Sequence, residues 1–350
     1  MTPKVSIIMP IYNASTYLDQ SIQSLLNQTL TNIEIICVND GSKDNSLQII
    51  RKYADHDARI KIIDKQNGGY GHAMNCGLKL AQGEFIGILE PDDYINTDAF
   101  EKLYAAAKKN NCEVVKANYY ERHEKTKQDN YLEVLWEVPY NTVTCAAEYK
   151  KIVYMRPCIW SAIYKRELLS ENNIFFNETP GASYQDTSFA FKVWVCAERV
   201  FFLREAYLHY RIDNENSSVN SKGKVFSICD EFWGIQAFIN QKVEWRREFG
   251  PILQVLKFDA YSWNLDRVSD DYRKLFTDEI ALEFMKAEYD GFLNKALFNE
   301  SRWDRLQQII AEYKEGSNQG WEIAEVYKNS MSYRLGHALL QPIRFLFRLK

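Results

Sequence analysis

No run of about 18 apolar residues occurs anywhere in this chain of 350 residues, so no membrane-spanning helix is expected. The opening Met1-Thr2-Pro3-Lys4 leads into a short strand-like run and carries no signal-peptide core, which predicts a cytoplasmic location. There is no Cys-x-x-Cys pair: the seven cysteines stand singly at 37, 76, 112, 145, 158, 196 and 229. An odd count at such spacings argues against a disulfide framework or a zinc site and predicts reduced thiols. Positive charge is not in excess either. The formal net charge is −4, which removes the basic footprint of a nucleic-acid binder. No Gly-Lys-Ser/Thr triplet is present, so a P-loop has no anchor. What the chain does have is 14% aromatic residues and one dense acidic turn.

That turn is Ile86-Gly87-Ile88-Leu89-Glu90-Pro91-Asp92-Asp93. The apolar run from Phe85 to Leu89 reads as a buried strand, and Pro91 prevents its continuation. Three carboxylates therefore gather at the strand's carboxyl end. Clustered carboxylates repel one another unless a cation offsets them, and Mg²⁺ or Mn²⁺ prefers such oxygen ligands. In isolation a solvated acidic turn explains such a pair as well; the surrounding pattern decides.

The first hundred residues alternate strand and helix. Strands are predicted at 5–9 (closed by Pro10), 33–38, 60–63 and 85–89, with helices capped near Ser15 and Asp44 and another over 72–81. This order demands a mostly parallel α/β sheet with right-handed crossovers. A further strand is expected at 113–117, a loop or hairpin over 118–150, and a helix around Asp186 to Val195. From about residue 223 the pattern turns helical: Phe232, Ile235, Phe238 and Ile239 share one face. A domain boundary is placed near residue 220, giving a catalytic domain over 1–220 and a helical region over 221–350.

Parallel strands put their carboxyl ends on one edge, where ligands bind in open α/β sheets. That edge gathers Tyr12 and Asn13, then Asp40, then Asn67-Gly68-Gly69, then Glu90 and Asp92. Tyr12 offers a flat face for a nucleobase, and Asp40 can accept from a base N–H. The glycines allow close approach of phosphate, and the acids can hold its cation. A metal-bound nucleoside diphosphate fits the set. Gly69-Tyr70-Gly71-His72-Ala73-Met74 lacks the third glycine of a dinucleotide fingerprint, so a dinucleotide oxidoreductase is poorly supported.

Pro10-Ile11-Tyr12-Asn13, Val38-Asn39-Asp40-Gly41-Ser42-Lys43-Asp44-Asn45-Ser46, Asn67-Gly68-Gly69 and Glu90-Pro91-Asp92-Asp93 come in this order and spacing. Together they resemble the family 2 inverting glycosyltransferases of bacterial surface-polysaccharide synthesis, with the Rossmann-like GT-A fold. The resemblance covers roughly residues 4–215. It implies a UDP-sugar donor, with Tyr12 and Asp40 at the uracil and Pro10, Asn13, Asn67, Gly68 and Gly69 also among the nucleotide-binding residues. It implies Glu90 and Asp92 as metal ligands, although the first acid is Glu90 where the family carries Asp. Where many members have Ala-Arg-Asn, this chain has Ala73-Met74-Asn75, so a cation is missing there.

The resemblance also places the catalytic base at the second acid of a Glu-Asp pair opening a helix. Here that pair reads Gln185-Asp186, leaving Asp186 as the base that takes the acceptor proton. Trp160 lies in a segment resembling the entry to the acceptor region. Leu208-His209-Tyr210-Arg211 resembles a stretch bordering the diphosphate, which makes His209 a third metal ligand and Arg211 a phosphate contact. Trp160 and His209 also have ordinary readings, as core aromatic and structural histidine.

The tail from Ser332 to Lys350 sets Leu335, Leu339, Ile343, Leu346 and Phe347 against Arg334, Arg344, Arg348 and Lys350, with no acid. Such a pattern suits peripheral contact with an anionic membrane, or a helix docked on its own domain; Pro342 interrupts it. The function expected is transfer of a sugar to a glycan or lipid-linked glycan acceptor. A sugar nucleotidyltransferase is the alternative enzyme, but its glycine- and Lys/Arg-bearing first loop is absent from Pro10-Ile11-Tyr12-Asn13-Ala14-Ser15. A glycan-binding protein on a catalytically dead fold is the other alternative, and retention of Asp40, Asp92 and Asp186 argues against it.

Overall fold

The structure is a computed structural model describing residues 2–179, 181–182, 184–214 and 226–316. The chain divides into two compact units, Met1–Asn220 and Ser221–Lys350.

In the first unit the elements run β1 (Val5–Ile11), α1 (Leu18–Leu26), β2 (Ile33–Asp40), α2 (Ser46–Ala54), β3 (Ile60–Lys65), α3 (Tyr70–Leu80) and β4 (Phe85–Ile88). Then follow β5 (Tyr94–Ile95), α4 (Ala99–Asn110), β6 (Val114–His123), β7 (Gln128–Leu132), β8 (Val143–Thr144), β9 (Ala162–Lys165), α5 (Arg166–Glu171), α6 (Gln185–Cys196) and β10 (Val200–Arg211). The sheet order is β3-β2-β1-β4-β9-β6-β10-β5, with β7 beside β6 and β8 beside β10. β1 and β2 are buried along their whole length, as central strands covered on both faces must be.

Strands β3, β2, β1 and β4 are parallel. β9 then inserts antiparallel to both β4 and β6, while β10 runs parallel to β6. Two reversals restore the direction, so β1, β2, β4, β6 and β10 all end on one edge. Pro10 does not close β1, as its lack of an N–H suggested; the strand continues to Ile11. The ladder to β4 has already stopped at Ile8–Ile88, so on that side the missing donor costs nothing. Ser15 does not cap α1 either. Its own N–H donates to Asp44 Oδ2 at 3.0 Å, and the helix starts three residues later. Of the loop or hairpin expected after residue 117, the hairpin is present: β6 runs to His123 and pairs antiparallel with β7.

In the second unit, α7 (Ser227–Ile239), α8 (Val243–Leu265), α9 (Asp270–Tyr289) and α10 (Glu300–Gly316) bury Phe232, Ile235, Phe238 and Ile239 together with Phe249, Phe258, Phe276 and Phe284. Inside this apolar interior, Lys257 pairs with Glu283 at 2.8 Å, and the Tyr261 hydroxyl stands 3.1 Å from both carboxylate oxygens. A buried ion pair needs such added hydrogen bonds to offset its desolvation. The tail pattern at 332–350 lies outside the described residues.

Candidate active site

The carboxyl edge is laced together from several strand ends. After β1, Asn13 takes a left-handed backbone (φ 51°) and its side-chain oxygen accepts the Lys43 N–H at 2.7 Å. The Asn13 N–H donates to Ser42 Oγ at 3.1 Å, and that of Ala14 to Ser46 Oγ at 2.9 Å. The loops after β1 and β2 thus become one rim, on which Tyr12 stands 49% exposed. Pro10 is buried in the strand below.

Asp40 ends β2 and is buried, yet its carboxylate is fully occupied. It pairs with Lys65 and accepts the N–H groups of Gly68 and Gly69, each at 2.9 Å. The Asn67 side chain donates to the Asp40 carbonyl at 3.0 Å. Asp40 therefore fixes the Asn67-Gly68-Gly69 turn by charge-assisted bonds. The space that the glycines leave is used by protein. Gly69 has φ 86°, and a Cβ there would meet the Gly181 nitrogen at 2.9 Å; one on Gly71 would meet the Asn177 carbonyl oxygen at 2.0 Å. Only glycine fits at 71, because the backbone of Asn177 and Glu178 passes across the start of α3. Tyr70 N–H donates to the Gly181 carbonyl at 2.9 Å. Asn75 secures the same segment. It exchanges two hydrogen bonds with the Phe176 backbone, at 2.9 and 3.0 Å, and donates to Glu178 Oε1 at 3.0 Å.

The acidic turn is divided in its roles. Glu90 accepts the Tyr70 hydroxyl at 2.7 Å. Burial, then the nearby charges of Asp92 and Asp186, push its carboxyl up to about 8 despite that bond. Asp92 accepts Asn214 Nδ2 at 2.8 Å. Asp93 points into the protein: it is fully buried, and its Oδ1 accepts the Arg211 N–H at 2.9 Å. Burial and the Asp92 charge hold its carboxyl well above the usual range, and its Oδ2 has no hydrogen-bond partner. Asp186 sits in the first turn of α6, accepting the Thr187 N–H at 2.8 Å. Burial raises its carboxyl to about 6, while the Arg156 charge pulls the other way. Gln185 takes no charged role; it donates to Thr179 Oγ1 at 2.8 Å. Tyr184 before it adopts φ 62°, a costly conformation for a bulky side chain.

The structure thus brings Glu90, Asp92 and Asp186 into one field of charge. It does not bring His209 there as a third ligand. His209 is stacked between Tyr94 and Tyr120 (ring centroids 4.3 and 5.0 Å away). Its Nε2 lies 2.8 Å from Asn96 Oδ1 and its Nδ1 3.0 Å from Asp129 Oδ1. Nε2 is hydrogen-bonded and Nδ1 faces Asp129 without an aligned hydrogen bond, and among the described residues no three His, Cys, Asp or Glu side chains form a metal-binding group. Arg211 likewise is not presented to a phosphate. Its side chain is enclosed, with Nε 3.3 Å from Glu124 and the guanidinium 4.4 Å over the Tyr17 ring. Trp160 is half-buried, stacked on Tyr210 at 5.1 Å and edge-on to Tyr119 at 4.6 Å.

Tyr70, Asn75, Arg156 and Asn214 carry no motif of their own and escape a reading of the sequence. The only signals were Tyr70 lying between two glycines and Asn75 following the place where other members have arginine.

A model of glycosyl transferase family 2 matches residues 6–172. The glycosyltransferase GlyG of Streptococcus pneumoniae serotype 4 is 30% identical over 60% of this chain and 71% of that protein. The chain belongs to glycosyl transferase family 2. The uncharacterized glycosyltransferase EpsJ of Bacillus subtilis (strain 168) is 37% identical over 62% of this chain. The chain spans 63% of EpsJ and 61% of EpsH of the same organism, under two thirds of either relative. The crystal structure of S. aureus TarS 1-349 in complex with UDP shares the fold of this family 2 chain. Its TM-score is 0.67 at 22% identity, over 91% of this chain and 94% of that one.

Proposed function

We propose that this protein transfers one sugar from a UDP-sugar to an acceptor hydroxyl on a growing surface glycan, with inversion. The observation that carries the reading is Asp186. It is a carboxylate at a helix start, held by burial near 6, in the same field as Glu90 and Asp92. A general base works best with its pKa close to the operating pH. Asp186 would take the proton of the acceptor hydroxyl as its oxygen bonds to the sugar C1, while the C1–oxygen bond to UDP breaks. An α-linked donor then yields a β-linkage.

Support for uridine comes from the TarS complexes with UDP and UDP-GlcNAc and from the exposed Tyr12 face. Support for a glycan acceptor comes from relatives named chondroitin synthase and hyaluronan synthase, each 42% identical over 28% of this chain.

A divalent cation, Mg²⁺ or Mn²⁺, fits the donor set. Glu90 is raised first by burial and then by two neighbouring carboxylates, and a cation would relieve the repulsion among them. Such ions commonly bind through one or two carboxylates completed by substrate phosphates, so a third protein ligand is not required. Asp92 and Glu90 would hold it, and once bound it would stabilise charge on the departing diphosphate. Calorimetry tests the reading: UDP should bind with Mn²⁺, and EDTA should weaken that binding strongly. Equal binding in EDTA would remove the metal, and tighter binding of GDP or CDP would remove the uridine assignment.

The basic, acid-free sequence 332–350 supports peripheral contact with an anionic membrane. Full-length protein should float with phosphatidylserine liposomes, and a chain ending at Ser330 should not. Equal flotation of the two would end that assignment.

A further inference from the structure

On the far half of the sheet from Tyr12 and Asp40, the Arg156 guanidinium forms no ion pair with a carboxylate among the described residues. Arg156 is exposed, in the loop before Trp160. Among the described residues its side chain makes one hydrogen bond, from Nη1 to the Tyr119 hydroxyl at 3.0 Å. Tyr119 belongs to β6, separated from β4 by β9. At about 4.8 Å per strand that is roughly 10 Å beyond the acidic turn, away from the nucleotide rim. Arg122 and Arg211 of this region pair with Glu124, and Arg204 with Glu133 at 3.9 Å.

Tyr119 is fully buried, and its ring packs edge-on against both Trp160 (4.6 Å) and Tyr210 (6.0 Å). The guanidinium is therefore anchored at one corner on a rigid aromatic block. Its remaining N–H donors form a planar fork suited to a carboxylate or phosphate. Trp160 and Tyr210, stacked within 10° of parallel, give an adjoining flat surface for a sugar ring. Arg156 also stands within electrostatic range of Asp186 and Tyr210. An anionic substrate entering beside Glu90, Asp92 and Asp186 would meet repulsion, and a cation at this place offsets it.

Building on the transferase reading above, we propose that Arg156 receives an anionic group of the acceptor, so that the acceptor is a glycan bearing a phosphate or carboxylate near its reacting hydroxyl. The same contact sets specificity: a neutral glycan leaves the fork unfilled.

The test uses the full chain saturated with UDP and Mg²⁺, so that the donor's phosphate positions are already filled. Glucose, glucuronate and glucose 6-phosphate are titrated in turn and followed by saturation-transfer NMR. At least one charged sugar should bind about tenfold or more tightly than glucose. Whichever anion is preferred names the group. Arg156→Gln should erase the preference while glucose binding and the melting transition persist; Arg156→Lys should keep part of it. Equal binding of all three sugars by the native protein, absence of any binding, or a preference that survives in Arg156→Gln would overturn the proposal. Failure of UDP itself to bind would instead overturn the transferase reading, and it is recorded in the same samples.

Discussion

Asp186→Asn should lower the transfer rate at least about a hundredfold, the lower end for loss of acid–base catalysis, while UDP still binds. Asparagine keeps the size of the side chain and can still accept the Thr187 N–H, but it cannot take a proton. The pH profile separates this from a structural effect. With the carboxyl raised to about 6, the native rate should climb as pH passes through that value and then level off. The residual rate of the variant should lack that step. Stability should move the opposite way. A carboxyl raised in the folded protein binds its proton more tightly there than in the unfolded chain. Its contribution is present at low pH and lost as pH rises through about 6. Asp186→Asn should therefore melt above the native protein at pH 8, with the difference closing toward pH 4. Near-native turnover in the variant would remove Asp186 as the base. Loss of UDP binding would give it a structural role instead, and Asp213 or Glu178 would be examined next.

Asp92→Ala should abolish detectable transfer and with it the Mn²⁺-dependent part of UDP binding. Asp92 is partly open to solvent, and among the described residues its side chain accepts one hydrogen bond, from Asn214. Asp93, by contrast, is committed inward to the Arg211 backbone. Calorimetry with and without EDTA should give two different UDP affinities for the native protein and one, the weaker, for the variant. Comparable activity of the two proteins would dismantle the assignment of this turn.

The alternation of strand and helix over the first hundred residues could be read directly. Runs such as Ile33 to Val38 are apolar throughout and end in Asn39-Asp40-Gly41, and buried parallel strands look like that. Gathering Asp40, Glu90 and Asp92 on one edge then followed from topology alone. Strand polarity further on could not be read. β9 is four residues long, and nothing in Ala162-Ile163-Tyr164-Lys165 says that it runs against its neighbours. Side-chain commitments were illegible for a related reason. His209 and Arg211 sit at the right place in the chain, but Asn96, Asp129 and Glu124, which occupy them, come from distant segments. Asp40 looked available to a base, and its occupation by Lys65 and two backbone amides depends on a turn that folds back 28 residues later.

The passage of Asn177, Glu178, Thr179 and Gly181 over Gly69 and Gly71, fastened by Asn75, bears on how such proteins can be recombined. The stretch that leads to Asp186 is seated on the helix that follows the third strand, about a hundred residues earlier in the chain. Exchanging the 155–186 region between family members to alter acceptor choice would break that seat unless Gly69, Gly71 and Asn75 travel with it. The practical unit of exchange is discontinuous, made of two pieces far apart in the gene and touching in the protein.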